Sequence, residues 1–432
     1  MYPKVLIVGR EVWDDTTAST LSNLFEDYNP DKLAYMYIET KMPYSKGCHR
    51  FFQISEFALV HKLYKWRMRT GFAFDINDSN VQVVNNDRVA SQEAATMQYV
   101  RGHRSFGFTF AREILWAFNG WKSKELRQFV HDFNPDAIFI TGSPLILMNR
   151  LARYVTKIAG KPYCVYEMDE VYPKKRFGLN PFKCLYRSWL RRNVSKLIKG
   201  ASQLYVISPK MKREYDELFG TNSSILTKGV DFSVLSYHPI KRHQPVQMVY
   251  MGQVIYDRIS SLEMIGKALD EINEESQKIV LNIYTSNPIE SQRKERMAKN
   301  GSVVFHKPVP YSEVQHVMAQ NDVVVFVESL RKEYKHVARL SFSTKITDYL
   351  ASGKCIFAVG PSDSAPIEYF MENDSAIVAC DYDEIKKRLQ NLLLPDMVEN
   401  YSLKAYNCGM ANHDKVKMDS VLYDRIVELA NK

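Results

Sequence analysis

Short apolar-rich stretches, several of them unbroken, alternate along the chain with polar loops and with segments whose apolar residues fall at helical spacing. In the first half they fall at 5–9, 137–140, 163–166 and 201–208. In the second half they fall at 246–251, 279–284, 302–305, 323–327, 355–359 and 376–379. Runs of four to six apolar residues without alternation predict parallel strands covered on both faces. The helical pattern is expected over 122–133, 145–158, 182–198 and 210–219, then over 261–272, 288–298, 312–320, 344–352, 366–371 and 382–393. Strand and helix alternating twice over predicts two doubly wound α/β sheets, with ligands at the carboxyl ends of the strands.

The most ordered of these patterns runs from Asp322 to Gly360. Ser343 is the expected N-cap of its helix and Gly353 the expected stop, with Ile346, Tyr349 and Leu350 on the apolar face. A helix start at the carboxyl edge of a sheet attracts phosphate through its unpaired N–H groups and dipole. Lys345 adds charge there, and Ser341, Ser343 and Thr344 add hydroxyl groups.

Residues 44–121 carry no clear period. They hold a basic-aromatic segment at 61–69 and a Gly/Arg/His patch at 101–104. Gly9 ends the first strand without a G-x-G-x-x-G, so a dinucleotide fingerprint is excluded. The turn-rich segment 236–245 reads as a linker. The expected organisation is a first Rossmann-like domain over 1–235, a second over 236–405, and a terminal helix over 406–432 packing back on the first.

Composition changes this picture little. With 432 residues and 45% hydrophobic, the chain has core material for two domains. The net charge of +9 fits a phosphorylated substrate, an anionic membrane surface or nucleic acid, and does not choose among them. Six cysteines are scattered without a C-x-x-C, which disfavours a zinc site or disulfide framework and fits a reducing cytoplasm. No apolar stretch approaches eighteen residues, and charged Arg10 and Glu11 follow a very short apolar run near the start. The expectation is therefore a cytoplasmic protein without a signal peptide or membrane span.

Several segments resemble the retaining glycosyltransferases of GT-B fold, glycosyltransferase family 4 in particular. They are Tyr250-Met251-Gly252 with Arg258, the run Phe305-His306-Lys307-Pro308-Val309-Pro310, Asn321-Asp322 before its strand, the block 341–353, and 361–366. In the first half, Asn134-Pro135-Asp136, the strand leading to Asp169, and Lys228-Gly229-Val230-Asp231 are similar to matching landmarks. The resemblance implies a GT-B fold whose two domains face across a cleft, the second holding a nucleotide-sugar donor and the first a glycan or lipid-linked acceptor. Transfer would proceed with retention, in polysaccharide biosynthesis.

The family's paired glutamates fall on Leu340 and Asp348. Asp348 retains a carboxylate for the ribose hydroxyls, whereas Leu340 cannot hold the transferred sugar, leaving Glu328 or Arg339 to replace it. Arg258 and Lys345 are implied as the diphosphate-binding catalytic cations. Gly252 would give close backbone approach, and Val309 backbone groups for the base. Asp169 is implied as a catalytic contact to acceptor or sugar. The plainer readings are a surface ion pair for Arg258 and a capping or solvated carboxylate for Asp169. Asp14-Asp15 would line the acceptor side or simply lie in a loop. Asp381-Tyr382-Asp383 matches a metal-binding D-x-D, but its place before a helix favours capping. No metal and no cofactor are expected.

The basic-aromatic stretches 61–69 and 183–199 fit docking on the inner face of an anionic membrane, or a packed helix with a solvated basic face. Two rival functions remain. One is an inactive sugar-nucleotide-binding partner subunit, supported by Leu340. The other is a nucleic-acid-binding protein, which the acidic cluster at 167–170 opposes.

Overall fold

The computed structural model describes residues 2–15, 20–39, 41–63, 65, 67–77, 106–118, 120–173 and 180–431. The patch at 101–104 lies outside these residues, as do Tyr64 and Trp66 of the basic-aromatic segment. Two compact units emerge. One comprises residues 1–207, 212–226 and 420–432, the other 208–211 and 227–419.

The first unit holds an eight-stranded sheet in the order β4-β3-β2-β1-β5-β6-β7-β8. Its strands are β1 (Val5–Val8), β2 (Leu33–Tyr37), β3 (Arg50–Ile54), β4 (Gly71–Asp75), β5 (Ala137–Thr141), β6 (Tyr163–Glu167), β7 (Gln203–Val206) and β8 (Ser224–Ile225). Neighbours are parallel except β3 and β4. The helices are α1 (Thr20–Leu24), α2 (Glu56–Lys62), α3 (Phe106–Ala117), α4 (Lys124–Phe133), α5 (Ile146–Ala159), α6 (Pro181–Lys199) and α7 (Pro209–Phe219). Strands β1 and β2 are wholly buried, as unbroken apolar runs require. The sequence reading placed no strand at β2, β3 or β4. β2 is nonetheless an unbroken run, Leu33-Ala34-Tyr35-Met36-Tyr37, whereas β4 is an antiparallel edge with only Gly71 fully buried.

The second unit holds a six-stranded sheet, β11-β10-β9-β12-β13-β14, parallel throughout. Its strands are β9 (Val246–Met251), β10 (Ile279–Tyr284), β11 (Val303–His306), β12 (Val323–Val327), β13 (Cys355–Val359) and β14 (Ile377–Ala379). Helices α8 (Arg258–Ile272), α9 (Ser291–Ala298), α10 (Val314–Ala319), α11 (Lys345–Ala351), α12 (Ala365–Glu372), α13 (Tyr382–Asn391) and α14 (Met397–His413) follow. The last, α15 (Lys415–Ala430), crosses into the first unit. Every residue of β12 and β13 is buried, and they pair in register from Val323↔Cys355 to Val327↔Val359.

Three local expectations are corrected. Thr344, not Ser343, is the N-cap of α11, and it makes no side-chain cap bond. The Ser343 hydroxyl instead accepts weakly from Lys345 N at 3.4 Å, because Ile346 N already turns back to Ser343 O at 3.0 Å. Helix α8 starts at Arg258 rather than at 261, since Asp257 adopts a left-handed backbone (φ 59°) that turns the chain directly into the helix. The terminal segment is two helices, not one, broken where extended Asp414 bridges to Val230. Beyond the break, Tyr423 Oη donates to Leu24 O at 2.7 Å, within the first unit.

The segment read as a linker is bonded into the second unit. Arg242 donates to the carbonyls of Leu392 and Leu394, and Tyr237 Oη lies 2.7 Å from Ser402 Oγ. Asp381 caps α13 by accepting from Glu384 N at 2.9 Å. Gly353 ends α11 at φ 65°.

Candidate active site

Strands β9 and β12 are neighbours, so their carboxyl ends bring Gly252 and Glu328 to one edge of the second unit's sheet. Two helix starts and one further segment deliver the remaining charged groups. Arg258 is the first residue of α8, Lys345 the first of α11, and Asp348 follows one turn later. Lys228 comes from the segment ahead of Val230.

Arg258 and Glu328 form a two-pronged pair, Nε to Oε2 at 3.0 Å and Nη2 to Oε1 at 2.8 Å. Glu328 is only 5% exposed. Its backbone is pinned on both sides, N–H to Val359 O at 2.8 Å and C=O to the Ser261 hydroxyl at 2.8 Å. Burial pulls the Arg258 pKa down, but Glu328 more than offsets it, so the guanidinium stays charged. A two-point guanidinium–carboxylate contact fixes direction as well as charge.

Lys345 is placed differently. Its Nζ donates to Met251 O at 3.0 Å and lies 5.9 Å from the centroid of the Tyr250 ring. A Cβ on Gly252 would sit 2.0 Å from that Nζ, so the missing side chain of Gly252 is the room the amine occupies. Burial first, and then the nearby Arg258 charge, pull the Lys345 pKa down to about 8, against the milder pull of Glu328 and Asp348. A lysine whose folded pKa lies below the unfolded 10.5 weakens the fold when charged, and that burden lifts as pH rises from about 8 to 10.5. An anion bound against the amine removes the same burden at neutral pH.

Asp348 is bonded to Lys228, a residue absent from the sequence-derived site although its Lys-Gly-Val-Asp context was noted. Burial weakens the Lys228 charge, and the Asp348 carboxylate restores it and holds its pKa above the ordinary range. Thr344 O accepts from the Thr347 hydroxyl at 2.8 Å, and the Ser341 hydroxyl donates to Val337 O at 3.3 Å. Val309 is half-buried in the loop after β11. Behind that loop His306 stacks on Tyr284, 4.4 Å between centroids and 8° between planes, and shares a 2.9 Å hydrogen bond with Asn282. Leu340 is fully buried, its carbonyl accepting from the Ser208 hydroxyl at 3.4 Å, so its side chain offers nothing to a ligand.

Asp169 belongs to the first unit, where it is exposed just past β6 and its carbonyl accepts from Val171 N at 2.8 Å. The acidic cluster read from the sequence divides there. Glu167 is buried against Gly142, whose added Cβ would meet Oε2 at 1.9 Å, and that oxygen has no hydrogen-bond partner among the described residues. Burial, then Asp169, push the Glu167 carboxyl up to about 8, so it is mostly protonated at pH 7.

No protein-family model and no curated protein matches the chain in sequence. Solved structures do. A trehalose-phosphate synthase (UDP-forming) from Burkholderia vietnamiensis is similar at TM-score 0.60 and 9% identity over all of both chains. TarM is similar at 0.56 and 10% identity, over 100% of this chain and 99% of that one. A chain of the GtfA/B complex is similar at 0.52 and 12% identity, with 71% of this chain covered and only 60% of that one. The fold is GT-B. Identities this low speak for the fold alone.

The Arg258–Glu328 pair is the first quantity to test. Arg258→Met leaves a buried carboxylate unpaired and should cost about 3 kcal/mol in urea unfolding, while adding Glu328→Gln should recover much of it. Wild-type stability in Arg258→Met would show that the pair is not a buried charge contact.

Proposed function

We propose that the protein is a glycosyltransferase moving a sugar from a nucleotide-sugar donor to a glycan or lipid-linked acceptor, with retention, in surface polysaccharide synthesis. The observation that carries this reading is the half-buried Lys345 amine, bonded to a carbonyl beside the Arg258 guanidinium, at the carboxyl edge of a GT-B α/β sheet. Two fixed cations where a diphosphate leaves are what phosphoryl leaving-group chemistry requires.

In this reading Lys345 and Arg258 hold the donor diphosphate, assisted by the hydroxyls of Ser341, Ser343 and Thr344. Asp348, oriented by Lys228, accepts the ribose hydroxyls. The loop at Val309 offers backbone groups to the base. Glu328 takes the sugar contact that Leu340 cannot make. On the first unit, Asp169 contacts the acceptor. The acceptor oxygen bonds to the anomeric carbon on the face from which the phosphate oxygen departs, and that oxygen accepts the acceptor's proton. Positioning and leaving-group stabilisation supply the rate. The reading assigns the diphosphate charge to side chains, with no metal and no cofactor.

Incubation with UDP-, GDP-, ADP- and CMP-sugars, read as nucleotide release with a glycan acceptor, tests this. One donor class should turn over, unaffected by EDTA, and Lys345→Ala should lower the rate about a hundredfold or more. Loss of activity in EDTA would overturn the metal-free assignment. No turnover of any donor would favour the inactive-partner reading that the buried Leu340 supports.

The acceptor's lipid would place the protein at a membrane surface. No described helix is long and apolar enough to cross one. Helix α6 offers a docking face instead: Phe182 and Leu185 are 63% and 64% exposed, followed on the same side by exposed Arg192, Lys196 and Lys199. Arg191, by contrast, is engaged, donating to Pro173 O at 2.6 Å and stacking 4.0 Å over Tyr172. Phe182→Glu with Leu185→Glu should abolish flotation with phosphatidylglycerol-containing liposomes. Undiminished flotation would sink the membrane assignment.

A further inference from the structure

Away from the donor site, two cavities lie along the seam between α4 and α5 in the first unit. One, of about 600 Å³, is lined by residues including Lys124, Arg127, His131 and Ala159. The other, of about 210 Å³, is lined by Trp121, Lys122, Arg150, Arg153 and Tyr154. Among the described residues, neither is lined by a carboxylate. Of the carboxylates of α4, Glu125 pairs with Arg69 at 3.6 Å, while Asp132 accepts from the Gln128 amide at 2.6 Å and lies 3.6 Å from His131 Nδ1 at the edge of the larger cavity, so the cationic character of the seam rests on its lysine and arginines.

The spacing of the cations is helical. Lys124, Arg127 and His131 follow one face of α4, and Arg150 and Arg153 share a face of α5. Lys124, Arg127 and Arg153 are exposed. From Lys124 to Asn134 the seam extends about 15 Å at the helical rise, too long for a single phosphate and suited to a chain of repeated anions.

Aromatic placement separates a glycan from a nucleic acid. Trp121 is buried, its indole N–H donating to Trp116 O at 2.9 Å, and Lys122 lies over both it and Tyr154, at 5.3 Å and 5.1 Å. The Tyr154 hydroxyl takes a 3.4 Å bond from Arg127. Single-stranded nucleic acid needs free aromatic faces for its bases, and this seam leaves its two rings covered or engaged.

We propose that the α4–α5 seam binds a polyanionic glycan chain, the acceptor or the growing product. This names the acceptor class for the glycosyltransferase reading and rests on it. The surface itself is separate from the donor site.

Fluorescence anisotropy with labelled oligogalacturonate, on the full chain without lipid, tests the proposal. Neutral maltooligosaccharide of equal length and a single-stranded oligonucleotide of equal charge serve as comparators. The uronate should bind, weaken steeply with salt, and lose tenfold or more in Arg127→Glu/Arg153→Glu. Arg127→Gln/Arg153→Gln should lose less while keeping the wild-type melting temperature. Equal binding by wild type and both variants, or equal binding of the neutral chain, would overturn the proposal. Tighter oligonucleotide binding with the same variant dependence would also overturn it, in favour of nucleic acid. Donor turnover is measured separately, so its failure would remove the acceptor role while leaving a polyanion surface in place.

Discussion

A charged amine partly withdrawn from water and bonded, among the described residues, to a carbonyl is the constraint on which the second unit's edge depends. Lys345 occupies the volume left by Gly252 and donates to the preceding carbonyl, beside the Arg258 guanidinium, with Glu328 and Asp348 exerting only a milder opposing pull. Such an arrangement costs folding energy, and it persists only when the surrounding structure determines it. That determination comes from β9 and β12 as central neighbours, from α11 starting at Lys345 itself, and from Glu328 locking Arg258 at two points. An anion placed there relieves the cost. This is why the edge reads as a binding site and not as a chance cluster of surface charge.

The edge also shows how carboxylates divide the work of keeping cations available. Arg258 is matched by Glu328, Lys228 by Asp348, and Lys345 is bonded to a carbonyl. Two of the three positive charges are therefore oriented by partners, and the third carries the unbalanced field. The first unit keeps its own basic charge on helix faces, along the α4–α5 seam and the exposed side of α6. The excess of positive charge in the composition is thus spread over surfaces with different geometries.

Much of this was legible in the sequence, and the reasons differ by element. β12 and β13 are covered on both faces, so their apolar runs are unbroken, and Gly353 ends α11 as a residue free to take φ 65°. Lys345 was legible as a cation in the first turn of the helix between them, whereas Arg258 and Asp348 were implied only by the resemblance to GT-B glycosyltransferases. Lys228 was not placed with them, since its partner Asp348 is 120 positions away and no local pattern encodes the contact. β4 escaped because its apolar run, Phe72-Ala73-Phe74, is short and half-exposed at an antiparallel edge, and the start of α11 was misread because Ser343 and Thr344 are both good caps by residue type. The burial of Glu167 beside exposed Asp169 is likewise invisible until Gly142 is seen against it.

The central claim is that the Lys345 amine meets the donor's diphosphate. Calorimetry of nucleoside diphosphate binding from pH 6.5 to 9.5, in wild type and Lys345→Met, addresses it most directly. With a free-state pKa of about 8, the wild type should take up a proton on binding near that pH. Its affinity should then fall by up to about tenfold per pH unit above it, while the variant binds weakly with no such slope. A flat affinity, equal in wild type and variant, would contradict the account.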